Sequence, residues 1–148
     1  MIETWKNVEG YEGIYLISNI GRIKSLDKQV RYGRGIRTVK GRILKATLDT
    51  KGYYKLTLCD KNANQKTARM HRLIARAFIP NPHNEEIVNH LNGIKTDNRI
   101  ENLEWCSFQE NCQHAQDNGL NLARYSQKQR EAVRRTGLAN KKKGLVKW

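Results

Sequence analysis

Between Glu86 and Glu110 the chain spells out an order of elements that few folds can accommodate. Two β-branched residues, Ile87 and Val88, lead into Asn89-His90, and the run closes on Asn92-Gly93, a strong tight-turn signal. After a polar loop, Asn102-Leu103-Glu104-Trp105-Cys106 reads as a return strand. Ser107-Phe108-Gln109-Glu110 then has the form of a capping box, in which the Ser hydroxyl accepts from the Glu110 amide and the Glu carboxylate reaches back, so a helix should start near Ser107. On that helix Asn111 and His114, three positions apart, share a face. The segment is thus strand, loop, strand, helix, with ligand-type polar residues on the first strand and on the helix.

The rest of the chain is built from similarly short pieces. Glu9 to Ser18 reads as a Gly-containing turn followed by an apolar strand, and Asn19-Ile20-Gly21 turns it into a second strand, Arg22 to Leu26. Residues 27–42 are basic and punctuated by Gly33, Gly35 and Gly41, which predicts a mobile loop or ribbon. Tyr53 to Leu58 alternates as a strand does, and Asp60 to Gln65 is a polar turn. Met70, Leu73, Ile74, Ala77 and Phe78 form one apolar stripe on a short helix that Pro80 and Pro82 end. Ser126 to Thr136, with Gly137 as a stop, reads as another short helix.

Charge says more than hydropathy about what such a chain meets. Its 148 residues carry a formal net charge of +14, and 38% hydrophobic residues fill modest cores but not one large buried enzyme. Residues 22–55 hold eleven Lys/Arg against Asp27 and Asp49, net +9, and residues 119–148 hold nine against Glu131, net +8. Between them, residues 83–117 are net −5. Any single charge run can be a solvated face. Two basic flanks around an acidic centre instead suggest a cation-tolerant site held against a polyanion, with nucleic acid ahead of an anionic membrane surface.

Cys59, Cys106 and Cys112 form no CxxC pair, which argues against a disulfide framework or a cysteine zinc site and for buried thiols. No apolar run reaches the roughly 18 residues of a membrane-spanning helix, and the N-terminus lacks a basic-then-apolar leader, so a soluble, cytoplasmic protein is expected.

Asn89-His90, Asn102-Leu103-Glu104-Trp105 and Asn111-x-x-His114, in that order, resemble the HNH nucleases, in particular the phage and intron-encoded homing endonucleases with a ββα-metal finger. Trp5-Lys6, Gly10-Tyr11-Glu12-Gly13, Ser18-Asn19-x-Gly21-Arg22 and Ser25 resemble the module that often precedes that nuclease domain. With Met70-His71-Arg72-Leu73 and Ala77 to Pro82, the likeness covers roughly residues 3–117. It implies an α+β protein of small antiparallel β modules, an HNH finger and a basic C-terminal helical tail. The expected domains are a β-rich DNA-binding module over 1–58, a nuclease domain over 59–117 with its finger at about 84–117, and a helical or disordered DNA-binding tail over 118–148.

The resemblance also assigns roles. His90 would be the general base that takes a proton from the water attacking phosphorus, a task suited to imidazole. Asn102 would tie the loop to the histidine strand and orient it. Asn89 and Asn111 would be metal ligands, with His114 as a further ligand or a structural or DNA-contacting residue. Asn89 departs from the acid often found before the histidine. Such a site suits one divalent cation, Mg²⁺ foremost or Mn²⁺, with no zinc and no organic cofactor. The cation would offset charge on the leaving 3′ oxygen, giving a 5′-phosphate and a 3′-hydroxyl by nicking of double-stranded DNA. His71, near the start of its helix, is read as structural.

Around that centre, Arg31, Arg34, Arg37, Lys40 and Arg42 are read as a Gly-rich ribbon that follows a DNA groove, with Arg34 and Arg37 expected to read bases. Arg130, Arg134, Arg135 and Lys141, Lys142, Lys143 are expected to grip phosphates from the tail. The partner is DNA, with no membrane and no obligate protein partner, and a monomer in the cytoplasm, that of the host cell if phage-encoded, is the default. A DNA-binding regulator or nuclease partner with a decayed finger is the competing reading, supported by Asn89. An RNA-binding protein would explain the charge but not the capped unit.

Overall fold

A computed structural model describes residues 2–120 of the chain. Two compact units, Met1–Trp105 and Cys106–Trp148, divide it. The first unit opens with a three-stranded antiparallel sheet of β1 (Trp5–Asn7), β2 (Tyr15–Ser18) and β3 (Ile23–Ser25), in the order β1-β2-β3. Gly21 makes the tight return from β2 to β3 possible, because its φ of +89° is one that side chains with a Cβ rarely adopt.

Next comes a free-standing hairpin of β4 (Lys28–Tyr32) and β5 (Gly35–Val39), paired from Lys28↔Val39 to Tyr32↔Gly35. The mobile loop or ribbon expected over 27–42 is therefore a regular ribbon from Lys28 to Val39. Its two-residue turn, Gly33-Arg34, puts Gly33 at φ +59°, the positive angle that the hairpin twist requires of the first turn residue.

A second three-stranded sheet consists of β6 (Thr47–Leu48), β7 (Tyr54–Cys59) and β8 (Gln65–Arg69), with β7 central. Helix α1 (Met70–Phe78) follows β8 directly and ends where Ile79 leads into Pro80. β9 (Ile87–His90) and β10 (Leu103–Cys106) then form a two-stranded sheet, with a 3₁₀ turn at Ile100–Asn102 just before β10.

One core serves the first unit. Met70, Ile74 and Ala75, from the buried stripe of α1, pack with Val8 just after β1, Ile17 of β2 and Ile23 of β3, Leu56 and Leu58 of β7, Val88 of β9 and Leu103 of β10. Ile17, Ile23 and Ile74 are fully buried, which at about 1.5–3 kcal/mol per large apolar side chain makes them principal contributors to the unit's stability. Trp105 donates its indole N–H to the Ile79 carbonyl at 3.1 Å, tying β10 to the end of α1.

The second unit's described part is α2 (Phe108–Asp117) and its ends. The expected capping box is present: Glu110 N–H donates to Ser107 Oγ at 3.3 Å and Ser107 N–H donates to a Glu110 carboxylate oxygen at 2.9 Å. The tail helix over 126–136 and the basic residues Arg130, Arg134, Arg135, Lys141, Lys142 and Lys143 lie outside the described residues.

Candidate functional site

His90, the last residue of β9, is 5% exposed, and its ring Nε2 lies 3.1 Å from Asn98 Oδ1, which is equally buried. A carbonyl oxygen can only accept, so Nε2 carries the ring proton and Nδ1 keeps the lone pair. Burial holds the imidazole's pKa below its ordinary value and Lys95 pushes the same way, while the Asn98 hydrogen bond and Asp97 oppose them. The ring is accordingly neutral at neutral pH, as a base must be.

Two more rings enclose it. The His71 ring centroid is 5.0 Å from that of His90 in an edge-on arrangement, and Tyr53 lies 4.8 Å from His71 and 5.8 Å from His90. His71 is 4% exposed and its Nδ1 has no hydrogen-bond partner. Burial pushes its pKa down to about 3, with the charge of His90 adding to the effect. Arg69 and Lys95 both stack on Tyr53, at 4.7 and 4.9 Å from its ring centroid, and bring positive charge to this neighbourhood.

The loop from β9 to the 3₁₀ turn is held from inside by Asn102. Its Oδ1 accepts from Asn92 N–H at 2.9 Å, its Nδ2 donates to the Asp97 carbonyl at 2.8 Å, and its own carbonyl accepts from Leu91 N–H at 2.9 Å. Asn92 Nδ2 in turn donates to Asp97, whose carboxylate also receives two bonds of 2.8 Å from Arg99. Those partners, Arg99 foremost, hold the Asp97 carboxyl at a pKa of about 2. Asn102 thus fastens the loop to the histidine strand, while the partner of the His90 ring is Asn98.

Asn89, buried one position before His90, donates from Nδ2 to Glu104 Oε1 at 2.8 Å. That bond turns the amide oxygen away from Glu104. Asn111 and His114 both lie on α2 in the second unit, where the His114 carbonyl accepts from Asn118. Among the described residues no group of three His, Cys, Asp or Glu could hold a metal ion. None of Cys59, Cys106 and Cys112 is in a disulfide, and of the thiols expected to be buried only Cys106 is, Cys59 and Cys112 being half-buried.

Of the expected DNA-contacting residues, Arg31, Arg34 and Arg37 are exposed on the hairpin. Arg34 sits in the turn, and Arg37 lies 5.0 Å over the Tyr32 ring. Lys40 and Arg42 fall beyond the ribbon, because Gly41 packs so closely on the chain at Ser25 that a Cβ there would come within 2.2 Å of the Ser25 carbonyl. Lys40 is paired with Asp27 at 2.8 Å. Arg42 is bound through its backbone to Ser25, and its side chain lines an open groove of about 670 Å³ with Lys45, Lys55, Thr57 and Thr67.

Residues 3–59 match the NUMOD4 motif, and residues 68–113 match an HNH endonuclease family model. The second stretch belongs to the HNH endonuclease family. Two uncharacterized HNH endonucleases of Acanthamoeba polyphaga mimivirus are each 38% identical to this chain, over 80% and 81% of its length. The DNA endonuclease I-HmuI of Bacillus phage SP01 is 31% identical over 83% of it. The chain spans only 27%, 32% and 64% of the lengths of these relatives. A solved structure concerned with DNA binding and cleavage by the HNH homing endonuclease I-HmuI superposes with a TM-score of 0.64 at 28% identity, covering 88% of this chain and 66% of that one.

The HNH match takes in His71, Asn89, His90, Asn102 and Asn111 and stops one residue short of His114. Two features inside the HNH stretch escape a reading of the sequence. Asn98 is one of several Asn in a polar loop and carries no local mark. His71 falls beside a buried helix stripe and reads as packing, which it is, but the packing is against His90. Within the NUMOD4 match, Lys55 and Thr57 could have been found from the alternation of β7, in which they point opposite to the buried Leu56 and Leu58.

Proposed function

We propose that the chain is a metal-dependent HNH DNA endonuclease of the homing type that nicks double-stranded DNA. The observation that carries this reading is the His90 imidazole, neutral, with Nε2 tied to Asn98 and Nδ1 left unprotonated at the end of the strand that bears the family's histidine. His90 Nδ1 takes the proton of a water as its oxygen attacks phosphorus, and the bond from phosphorus to the 3′ oxygen breaks. Asn102 keeps the loop that carries Asn98 closed on the histidine strand.

The residues present fit a hard divalent cation, since Asn89 presents an amide oxygen and no thiolate belongs to the set. Asn89 and Asn111 would hold it with His114 as a further candidate, and when bound it supplies positive charge for the leaving 3′ oxygen. DNA is gripped by the hairpin arginines and by the cationic groove at Arg42, Lys45 and Lys55, where threonine hydroxyls can add phosphate hydrogen bonds. We place the protein in the cytoplasm, acting as a monomer, with the basic residues of 118–148 as a further phosphate grip.

Neutral Asn89 in place of an acid favours a second reading, a DNA-binding regulator whose nuclease has decayed. Incubation of supercoiled plasmid with the full chain and Mg²⁺ or Mn²⁺ separates the two. Conversion to open circle that EDTA abolishes is expected, whereas a retarded but still supercoiled plasmid would establish the regulator.

A further inference from the structure

The partner that sets the His90 ring lies in none of the motifs that mark the family in this sequence. Asn98 reaches His90 from the loop, and the loop at that point leans on the N-terminal sheet. Ile100 N–H donates to the Asn19 carbonyl at 3.0 Å, and Gly21 lies so close that a Cβ on it would meet Asn98 Cβ at 3.2 Å and the Asn98 carbonyl at 3.4 Å. The turn that allows this close approach is fastened by two buried polar side chains. Ser18, fully buried, accepts from Arg22 N–H through Oγ at 3.0 Å and donates its own N–H to the Arg22 carbonyl at 2.8 Å. Asn19, 4% exposed, accepts from Thr4 N–H at 2.8 Å and donates to the Ile2 carbonyl at 3.1 Å. Ser18 closes the turn on itself and Asn19 ties it to the N-terminal segment, so its buried polar side chains are hydrogen-bonded and make it a rigid abutment.

We propose that Asn98 is the positioning residue that fixes His90 in the Nε2–H tautomer, and that the Ser18–Arg22 turn holds Asn98 in place. The N-terminal motif is then part of the nuclease site as well as a means of gripping DNA. This rests on the reading of His90 as the base. Without the Asn98 oxygen the imidazole is free to move its proton to Nδ1, which removes the lone pair that accepts from water.

The test uses the full chain. In the DNA-free wild type, long-range ¹H–¹⁵N correlation of the histidine rings above their titration range should show His90 as the Nε2–H tautomer, and an Nδ1–H ring overturns the proposal with no substitution needed. Single-turnover nicking and DNA affinity are then measured for Asn98→Leu, Asn98→Asp and Gly21→Ala beside His90→Ala. Asn98→Leu and Gly21→Ala should each lose on the order of 10- to 100-fold in rate while the affinity stays within a few-fold. Asn98→Asp, which keeps an accepting oxygen, should recover most of the rate. Asn98→Leu cutting at the wild-type rate, or Asn98→Asp cutting as slowly as Asn98→Leu, overturns the proposal. If His90→Ala itself cuts like wild type, the reading of His90 as base has failed, and the tautomer measurement still judges Asn98.

Discussion

At the scale of single residues, the site combines the buried His90 imidazole, proposed as the base, with a second imidazole that has no hydrogen-bond partner at Nδ1. His71 is neutral in the fold down to a pKa of about 3, whereas unfolded it would titrate near its ordinary value of 6.5. Its folded value is depressed, so its contribution is fully present above pH 6.5 and is lost as pH falls towards 3, by about 1.4 kcal/mol per unit. Denaturant melts across that window should show wild type losing stability more steeply than His71→Phe, and equal slopes would contradict the burial of a neutral imidazole. Asn102 was legible because the family pattern marks it and one amide can reach both sides of the loop. Asn98 was not, since only the closed loop brings it to the ring.

At the scale of elements, patterns with a strong local cause could be read directly. The capping box fixed the start of α2 at Ser107, and the apolar stripe with its prolines fixed α1. β1, β6 and β8 could not be read: Gln65–Arg69 has no apolar alternation and is a strand only because β7 supplies its hydrogen bonds. The hairpin register refines the proposal that the ribbon reads DNA. Arg37 stands opposite Val30 and Arg31 opposite Ile36, so successive positions put Arg31 and Arg37 on opposite faces of the ribbon. A ribbon laid in the major groove turns one face to the bases. Replacing each by Ala should therefore split the two effects: one variant narrows the gap between cognate and random DNA by about 1–3 kcal/mol, and the other weakens both alike and flattens the salt dependence by about 0.9 per contact. Affinities for both DNAs over a salt series decide it, and identical behaviour of the two variants would contradict the two-faced ribbon.

At the scale of the whole molecule, Val8, Ile17 and Ile23 of the NUMOD4 stretch share a core with Ile74, Val88 and Leu103 of the HNH stretch. Composition could foretell modest cores but not this sharing, which depends on long-range packing of α1 against both sheets. Ile17→Ala should cost about 2–5 kcal/mol and lower the thermal stability of nicking together with that of the N-terminal sheet. Nicking that outlasts loss of the N-terminal sheet would show separable folding. The central claim, that this basic chain cuts DNA with His90 as base, is tested most directly by single-turnover nicking of supercoiled plasmid with Mg²⁺, run on wild type and His90→Ala beside their DNA affinities. The expected result is a loss on the order of 10²–10⁴ in rate with affinity unchanged within a few-fold. A His90→Ala protein that nicks at the wild-type rate would contradict it.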